Sequence, residues 1–120
     1  MPYFFDSYAI IALAESSPLY NKYQGIEITT SVLNIGEIYQ IILRKHGKEA
    51  ADGWFNKINF KLLDITPTII IEVVYFRHLN KENNFSLPNA VGYKLSFQHK
   101  LKFLTGDGQF KDMPNVEFVK

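Results

Sequence analysis

"YFFDSYAIIALAE" (residues 3–15) holds the start of a fold in one short stretch. Tyr3-Phe4-Phe5 is brief, apolar and aromatic, as a buried strand is. Asp6-Ser7 then offers side-chain oxygens to the free N–H groups of a helix, "YAIIALAE". A carboxylate set between two apolar runs is expensive to bury alone. Asp6 therefore needs either a local capping role or company from elsewhere in the chain.

Working outward, strands and helices continue to alternate. Pro18 begins a second short helical piece that Gly25 ends, and "IEIT" (26–29) alternates like a strand. Ser31 is a candidate N-cap for "VLNIGEIYQIILRKH", in which Val32, Ile35, Ile38, Tyr39 and Ile42 recur at helical spacing. Arg44, Lys45 and His46 suit its last turn and Gly47 its end. "KEAADGWFNKI" reads as a helix and "KLLDI" (61–65) as a short strand. Thr66-Pro67 places a cap and a first-turn proline before "TIIIEVVYFRHLNKE", which is β-branched but too long for a strand. "NNFSLP" is a loop, and Ser86 caps "NAVGYKLSFQHK" with Pro88 in its first turn. "KFLT" (102–105) is a strand, Gly106-Asp107-Gly108 a turn and "VEFV" (116–119) a last strand. This order implies an α/β fold with a mostly parallel sheet and helices on both faces.

Composition bounds the function. The 120 residues fit one domain spanning 1–120, and 47% hydrophobic residues supply a core. Thirteen basic against twelve acidic residues give a net charge of +1, which excludes gripping nucleic acid by bulk charge but not by a local basic groove. With no cysteine, disulfides and thiolate metal sites are excluded. No signal peptide and no apolar run of the ~20 residues that cross a bilayer are visible, so a soluble cytoplasmic protein without membrane contact is expected.

In parallel α/β sheets, sites lie beyond the carboxyl ends of the strands. Asp6 ends the first strand, Asp107 follows "KFLT", and Asn89 lies in the first turn of the helix preceding that strand. Glu37 is flanked at helical spacing by Leu33 and Ile41, on the helix after the second strand. Clustered carboxylates repel and need a cation or protons between them. Mg²⁺ or Mn²⁺ suits such an oxygen shell, and water beside such an ion is easier to deprotonate. Hydrolysis of a phosphodiester is the chemistry that matches.

Three stretches carry a family likeness: "FFDSYAII", "TTSVLNIGEIYQ" and "FSLPNAVGYKLSFQHKLKFLTGDGQF". In their order, spacing and structural context the chain resembles the PIN-domain ribonucleases, and among them the VapC-type toxins. The resemblance implies a three-layer α/β/α sandwich around a parallel sheet. It implies endonucleolytic cleavage of RNA with Mg²⁺ or Mn²⁺, a homodimer, and silencing by a cognate antitoxin. Carried over by motif, Asp6, Glu37 and Asp107 are the acidic metal ligands, and the hydroxyls of Ser7 and Thr105 stand beside ligand positions, able to orient water or phosphate. In "SLPNA" the family pattern has aspartate where this chain has Asn89. Asparagine offers a neutral oxygen but neither a charge nor a base, so weaker metal binding and impaired activity are expected. The alternative is a PIN-fold module that binds RNA or protein without catalysis. A flavodoxin-like phospho-acceptor domain is a third reading, weakened by the absence of a lysine at the end of a late strand.

Each feature also has a plainer reading. Asp6 could only cap a helix, Glu37 could be a solvated helix residue, Ser86-x-x-Asn89 resembles a capping box, and Gly-Asp-Gly is ordinary turn chemistry. "RKHGK" (44–48) could touch RNA phosphates but better fits a helix C-terminus. His46, His78 and His99 show no zinc-type pairing. Trp54 and Phe55 suit core or dimer packing better than base stacking. "IIIEVVYF" (69–76) is apolar all round, which predicts burial on more than one side and, with it, a two-fold dimer.

Overall fold

The computed structural model describes residues 2–120. Among them the strands are β1 (Tyr3–Phe5), β2 (Ile28–Thr30), β3 (Phe60–Leu62), β4 (Lys102–Thr105) and β5 (Val116–Phe118). The α-helices are α1 (Ser7–Ala14), α2 (Val32–His46), α3 (Lys48–Lys57), α4 (Pro67–Leu79) and α5 (Leu87–Gln98). Short 3₁₀ turns occupy Pro18–Tyr23, Lys81–Asn83 and Gly108–Phe110.

Every ladder is parallel. β4 lies between β1 and β5, with Phe4 opposite Phe103 and Leu104 opposite Glu117. β2 pairs with β3, Ile28 opposite Phe60. The two ladders meet where the Thr30 hydroxyl donates to the Phe5 carbonyl at 2.8 Å. The spatial order is therefore β3-β2-β1-β4-β5. A flavodoxin-like sheet runs 2-1-3-4-5, so the phospho-acceptor reading falls on topology.

Side chains of successive strand residues point to opposite faces, and here that alternation builds two cores. Phe4 and Phe103 join Ile69, Val73, Phe85, Val91, Tyr93, Leu95 and Phe110 beneath α4 and α5. Their neighbours Phe5 and Leu104 join Ala9, Ile10, Tyr20, Tyr23, Ile28 and Ile38 beneath α1 and α2, with Trp54 of α3 packed at the margin. The result is the expected three-layer α/β/α sandwich.

The caps are where local chemistry places them. Asp6, Ser31, Thr66 and Ser86 each accept the backbone N–H three residues on, opening α1, α2, α4 and α5. Gly47, at φ +88°, ends α2. Two strands are displaced from their expected bounds. β2 starts at Ile28 rather than Ile26, and β3 covers 60–62 rather than 61–65. Ile26 and Glu27 are exposed link residues after the positive-φ turn at Gly25, and register is fixed by the distant partner strand rather than by local alternation.

The chain itself covers only one side of α4. Within one chain only Ile69 and Val73 are buried, while Ile71 is 70% and Tyr75 62% exposed and Val74 and Leu79 also face outward. Among the described residues no helix is long and apolar enough to cross a membrane.

Gly92 lets α5 lie on the sheet. A methyl group there would stand 2.4 Å from Phe4 Cε1 and 3.3 Å from Phe103 Cε1, and both rings are fully buried. Gly92→Ala is expected to lose about 2 kcal/mol, as overpacking of a filled core does. Urea denaturation would read this as a lower midpoint at unchanged slope; an unchanged midpoint would mean that α5 can lift without cost.

Candidate functional site

Four helix starts and the ends of β1 and β4 share one edge of the sheet, and the polar residues follow. Asp6 is fully buried. Its Oδ1 accepts the Ala9 amide at 2.9 Å and its Oδ2 accepts the Thr105 hydroxyl. Thr105 Oγ1 in turn accepts the Asp107 amide at 3.0 Å. One buried hydroxyl thus ties the end of β1 to the turn after β4. Gly106 makes that turn possible: a methyl there would lie 2.2 Å from the Tyr8 ring and 2.5 Å from the Val119 carbonyl.

The electrostatics set Asp6 apart. Burial pushes its carboxyl up to about 7, opposed by the bonds from Thr105 and the Ala9 amide. The nearby charges of Asp107 and Glu37 push it the same way as burial does. Both carboxylates are therefore within electrostatic reach of Asp6.

Asn89, half-buried at the start of α5, donates from Nδ2 to Asp107 Oδ2 across 3.5 Å, a long and weak bond. Its Oδ1 is buried with no hydrogen-bond partner among the described residues. Turning the amide over would set oxygen against oxygen at Asp107, so this orientation is enforced by its neighbour. An orphaned buried acceptor costs on the order of 1–3 kcal/mol, and a cation is one group that would satisfy it. Glu37 is half-buried on α2 and makes no side-chain hydrogen bond or ion pair among the described residues.

The sequence-derived residues are thus placed at one edge, but unevenly. Asp6, Thr105, Asp107 and Asn89 form one connected chain of hydrogen bonds. Glu37 stands apart, linked only through its charge. Among the described residues no three carboxylate or imidazole groups are gathered closely enough to cage an ion. What the donor set fits is an ion held by a few protein oxygens that keeps several waters, as Mg²⁺ does.

Asn34 is a member of this region that sequence reasoning missed. It is fully buried. Its Oδ1 accepts the Ser31 hydroxyl at 2.7 Å and its Nδ2 donates to Ser7 Oγ at 3.1 Å. It stands one helical turn before Glu37 on α2 and braces that helix against the residue after Asp6. The available signal was Ser31-x-x-Asn34, the same spacing as Ser86-x-x-Asn89. Ser7 and Thr105, expected beside the ligand positions as groups able to orient water or phosphate, are buried and bonded to protein partners.

No protein-family model matches the sequence, and no curated protein matches it. Solved structures do match along the whole chain. VapC20 of Mycobacterium tuberculosis, a sarcin-ricin-loop-cleaving toxin, superimposes with a TM-score of 0.78 at 16% identity, over 98% of this chain and 99% of that one. VapBC2 from Rickettsia felis, solved bound to a DNA fragment from their promoter, gives 0.75 at 13% identity over the full length of both chains. A toxin–antitoxin complex from Klebsiella pneumoniae gives 0.67 at 18% identity, over 96% and 95%. At such low identity the likeness resides in the backbone, with its strand order and its edge of helix starts: this chain has the fold of the VapC-type PIN-domain toxins.

Proposed function

We propose that this chain is a divalent-metal-dependent endoribonuclease, the toxin of a toxin–antitoxin pair, with its activity lowered by Asn89. One observation carries the reading: a buried aspartate at the end of β1 lies within charge range of Asp107 and Glu37, and Asp107 faces an asparagine whose buried oxygen has no partner among the described residues. Matching structures that include a sarcin-ricin-loop-cleaving toxin and toxin–antitoxin complexes support the same direction.

In this reading Asp6, Glu37, Asp107 and Asn89 Oδ1 would be the groups that hold Mg²⁺ or Mn²⁺, some of them through waters the ion keeps, since no three acidic groups among the described residues are close enough to cage it. The ion supplies Lewis acidity, which acidifies water and neutralises charge growing on the phosphoryl oxygens. The chain's own groups supply placement. Thr105 holds Asp6 Oδ2 and the Asp107 backbone at a fixed spacing, and Ser7, Asn34 and Ser31 lock α2, and with it Glu37, to the end of β1. Partners in this reading are RNA, a cognate antitoxin in the cytoplasm, and a second copy of the chain.

The test is incubation of mixed RNA with Mn²⁺ or Mg²⁺ and the chain as it stands, beside Asp6→Asn and Asn89→Asp forms. Cleavage that Asp6→Asn abolishes supports the enzyme. Failure of every form to cleave RNA would end the ribonuclease reading. A second reading, a PIN-fold module that binds without catalysis, is favoured by the contact between Asn89 Nδ2 and Asp107 Oδ2, where an amide stands in place of a fourth carboxylate.

A further inference from the structure

We propose that the pocket between the end of α4 and the start of α5 binds a backbone phosphate of single-stranded RNA, with Arg77 as its fork. The pocket encloses about 270 Å³ and is lined by Val74, Arg77, His78, Lys81, Asn84 and Phe85. Every ionisable group on its wall is basic; Glu82, in the adjoining turn, is exposed and does not line it. Arg77 is half-buried, and its Nε donates to the Phe85 carbonyl at 3.0 Å. Among the described residues it has no carboxylate within ion-pair distance; the ion pairs are Lys22–Glu117 and Lys48–Asp52. A guanidinium partly withdrawn from water, anchored at one nitrogen and unpaired, is pre-oriented to take an anion on its two remaining nitrogens.

The plainer account is that basic residues at a helix C-terminus answer the helix dipole. Here another residue caps the end of α4. The Phe76 carbonyl accepts both the backbone N–H of Asn80 at 3.0 Å and its Nδ2 at 2.9 Å, while Arg77 reaches forward to the next segment.

Position gives the pocket its use, and this step rests on the ribonuclease reading. Phe85, whose carbonyl holds Arg77, directly precedes Ser86, and Ser86 Oγ accepts the Asn89 amide at 3.2 Å. The pocket is therefore adjacent to the helix start that carries Asn89. An edge bearing Asp6, Glu37 and Asp107 repels a polyanion, and a net charge of +1 offers no bulk attraction. A strand of RNA entering that edge needs a local anchor for a neighbouring phosphate. Arg77 and Lys81 supply charge there, and His78 a ring N–H donor.

Binding of a short, fluorescently labelled single-stranded RNA, followed by anisotropy in chelator so that nothing is cut, tests the assignment. Lys81→Ala and His78→Ala change exposed side chains that the fold does not use, and Arg77→Gln removes the fork; circular dichroism checks that each is folded. Arg77→Gln and Lys81→Ala are each expected to weaken binding roughly fivefold or more, uniformly across RNA sequences. The slope of log affinity against log salt should shrink by about 0.7 for each phosphate that a variant no longer neutralises. Lys100→Ala, an exposed cation outside the pocket, should change neither. Unchanged affinity and slope in the pocket variants would overturn the assignment, and so would failure of the parent chain to bind RNA at low salt. Pocket-dependent binding of a labelled polyglutamate peptide without any RNA binding would give the pocket to an acidic protein segment and overturn it too. The ribonuclease reading is scored separately by cleavage with the Asn89→Asp form: cleavage with indifferent pocket variants removes only the phosphate site. Pocket-dependent RNA binding without cleavage by any form removes only the nuclease.

Discussion

At pH 8 and without metal, Asp6→Asn should unfold at a higher urea concentration than the parent chain, by about 2 kcal/mol of stability, and with Mn²⁺ supplied the same form should lose RNA cleavage. The folded carboxyl titrates at about 7 against an ordinary value of 3.8. Below the lower value both folded and unfolded chains carry the proton, and Asp6 contributes no penalty. Between the two, the unfolded chain releases its proton and the folded chain keeps it, so stability falls as pH rises. Above 7 both are ionised and the penalty is complete. A separation of about three pKa units amounts to roughly 4 kcal/mol. Asparagine escapes that penalty. It can still accept the Ala9 amide, but its NH₂ would face Thr105 Oγ1, whose hydrogen then loses its acceptor, a cost of about 1 kcal/mol or more. The net gain should vanish near pH 4, so paired urea titrations at the two pH values isolate the effect from the other carboxylates. If the variant is no more stable than the parent at pH 8, Asp6 is not a strained carboxylate.

The same substitution separates strain from use. A ligand that binds only the native state stabilises it according to its concentration over its Kd, so Mn²⁺ should raise the melting temperature of the parent and leave that of Asp6→Asn unchanged. Loss of an outer-shell partner of a metal typically costs 10–100-fold in activity. Loss of a ligand itself should cost at least about 100-fold. A carboxylate kept at a cost to stability, in a place where asparagine fits, is the pattern expected of a group retained for function rather than for capping.

Much of this site was legible in the sequence because its markers are local. Asp6, Ser31, Thr66 and Ser86 could be read as caps, since a cap bonds an amide three residues away. The parallel sheet followed from the alternation of elements. Strand bounds were less legible, because β2 and β3 define each other across a gap of some thirty residues. Asn34 was invisible for a related reason. Between Leu33 and Ile35 it looks like one polar residue on a helix, and only the approach of Ser7 from α1 makes it buried and bonded. For α4, composition showed apolar residues all round but not which of them the chain itself would cover. The departure at Asn89 was legible from the motif; the unsatisfied state of its oxygen required the fold.

Asn89→Asp should move the protein in two opposite directions depending on metal. Without an ion, the substitution replaces a donor facing Asp107 Oδ2 at 3.5 Å with a second carboxylate at the same place. Two carboxylates that close share a proton or repel, and their titration becomes a property of the pair. Stability at pH 8 in chelator should therefore fall by about 1–2 kcal/mol, in line with the loss of one hydrogen bond and the gain of a like-charge contact. With Mn²⁺ present the same pair becomes an attractive site. The fourth negative charge should tighten Mn²⁺ binding by roughly 10–100-fold. The melting temperature of the variant should then rise with Mn²⁺ more steeply than that of the parent, crossing it at saturating metal. Cleavage of mixed RNA should increase by about the same factor or more, and Asp6→Asn added to Asn89→Asp should remove the gain. Calorimetric titration with Mn²⁺ and gel analysis of RNA read the two effects independently. An Asn89→Asp form that, like its parent, binds no Mn²⁺ would mean that this edge does not hold an ion at all. Asn89 would then be a helix-start residue with an unpaired oxygen, and the non-catalytic module would be the reading left standing.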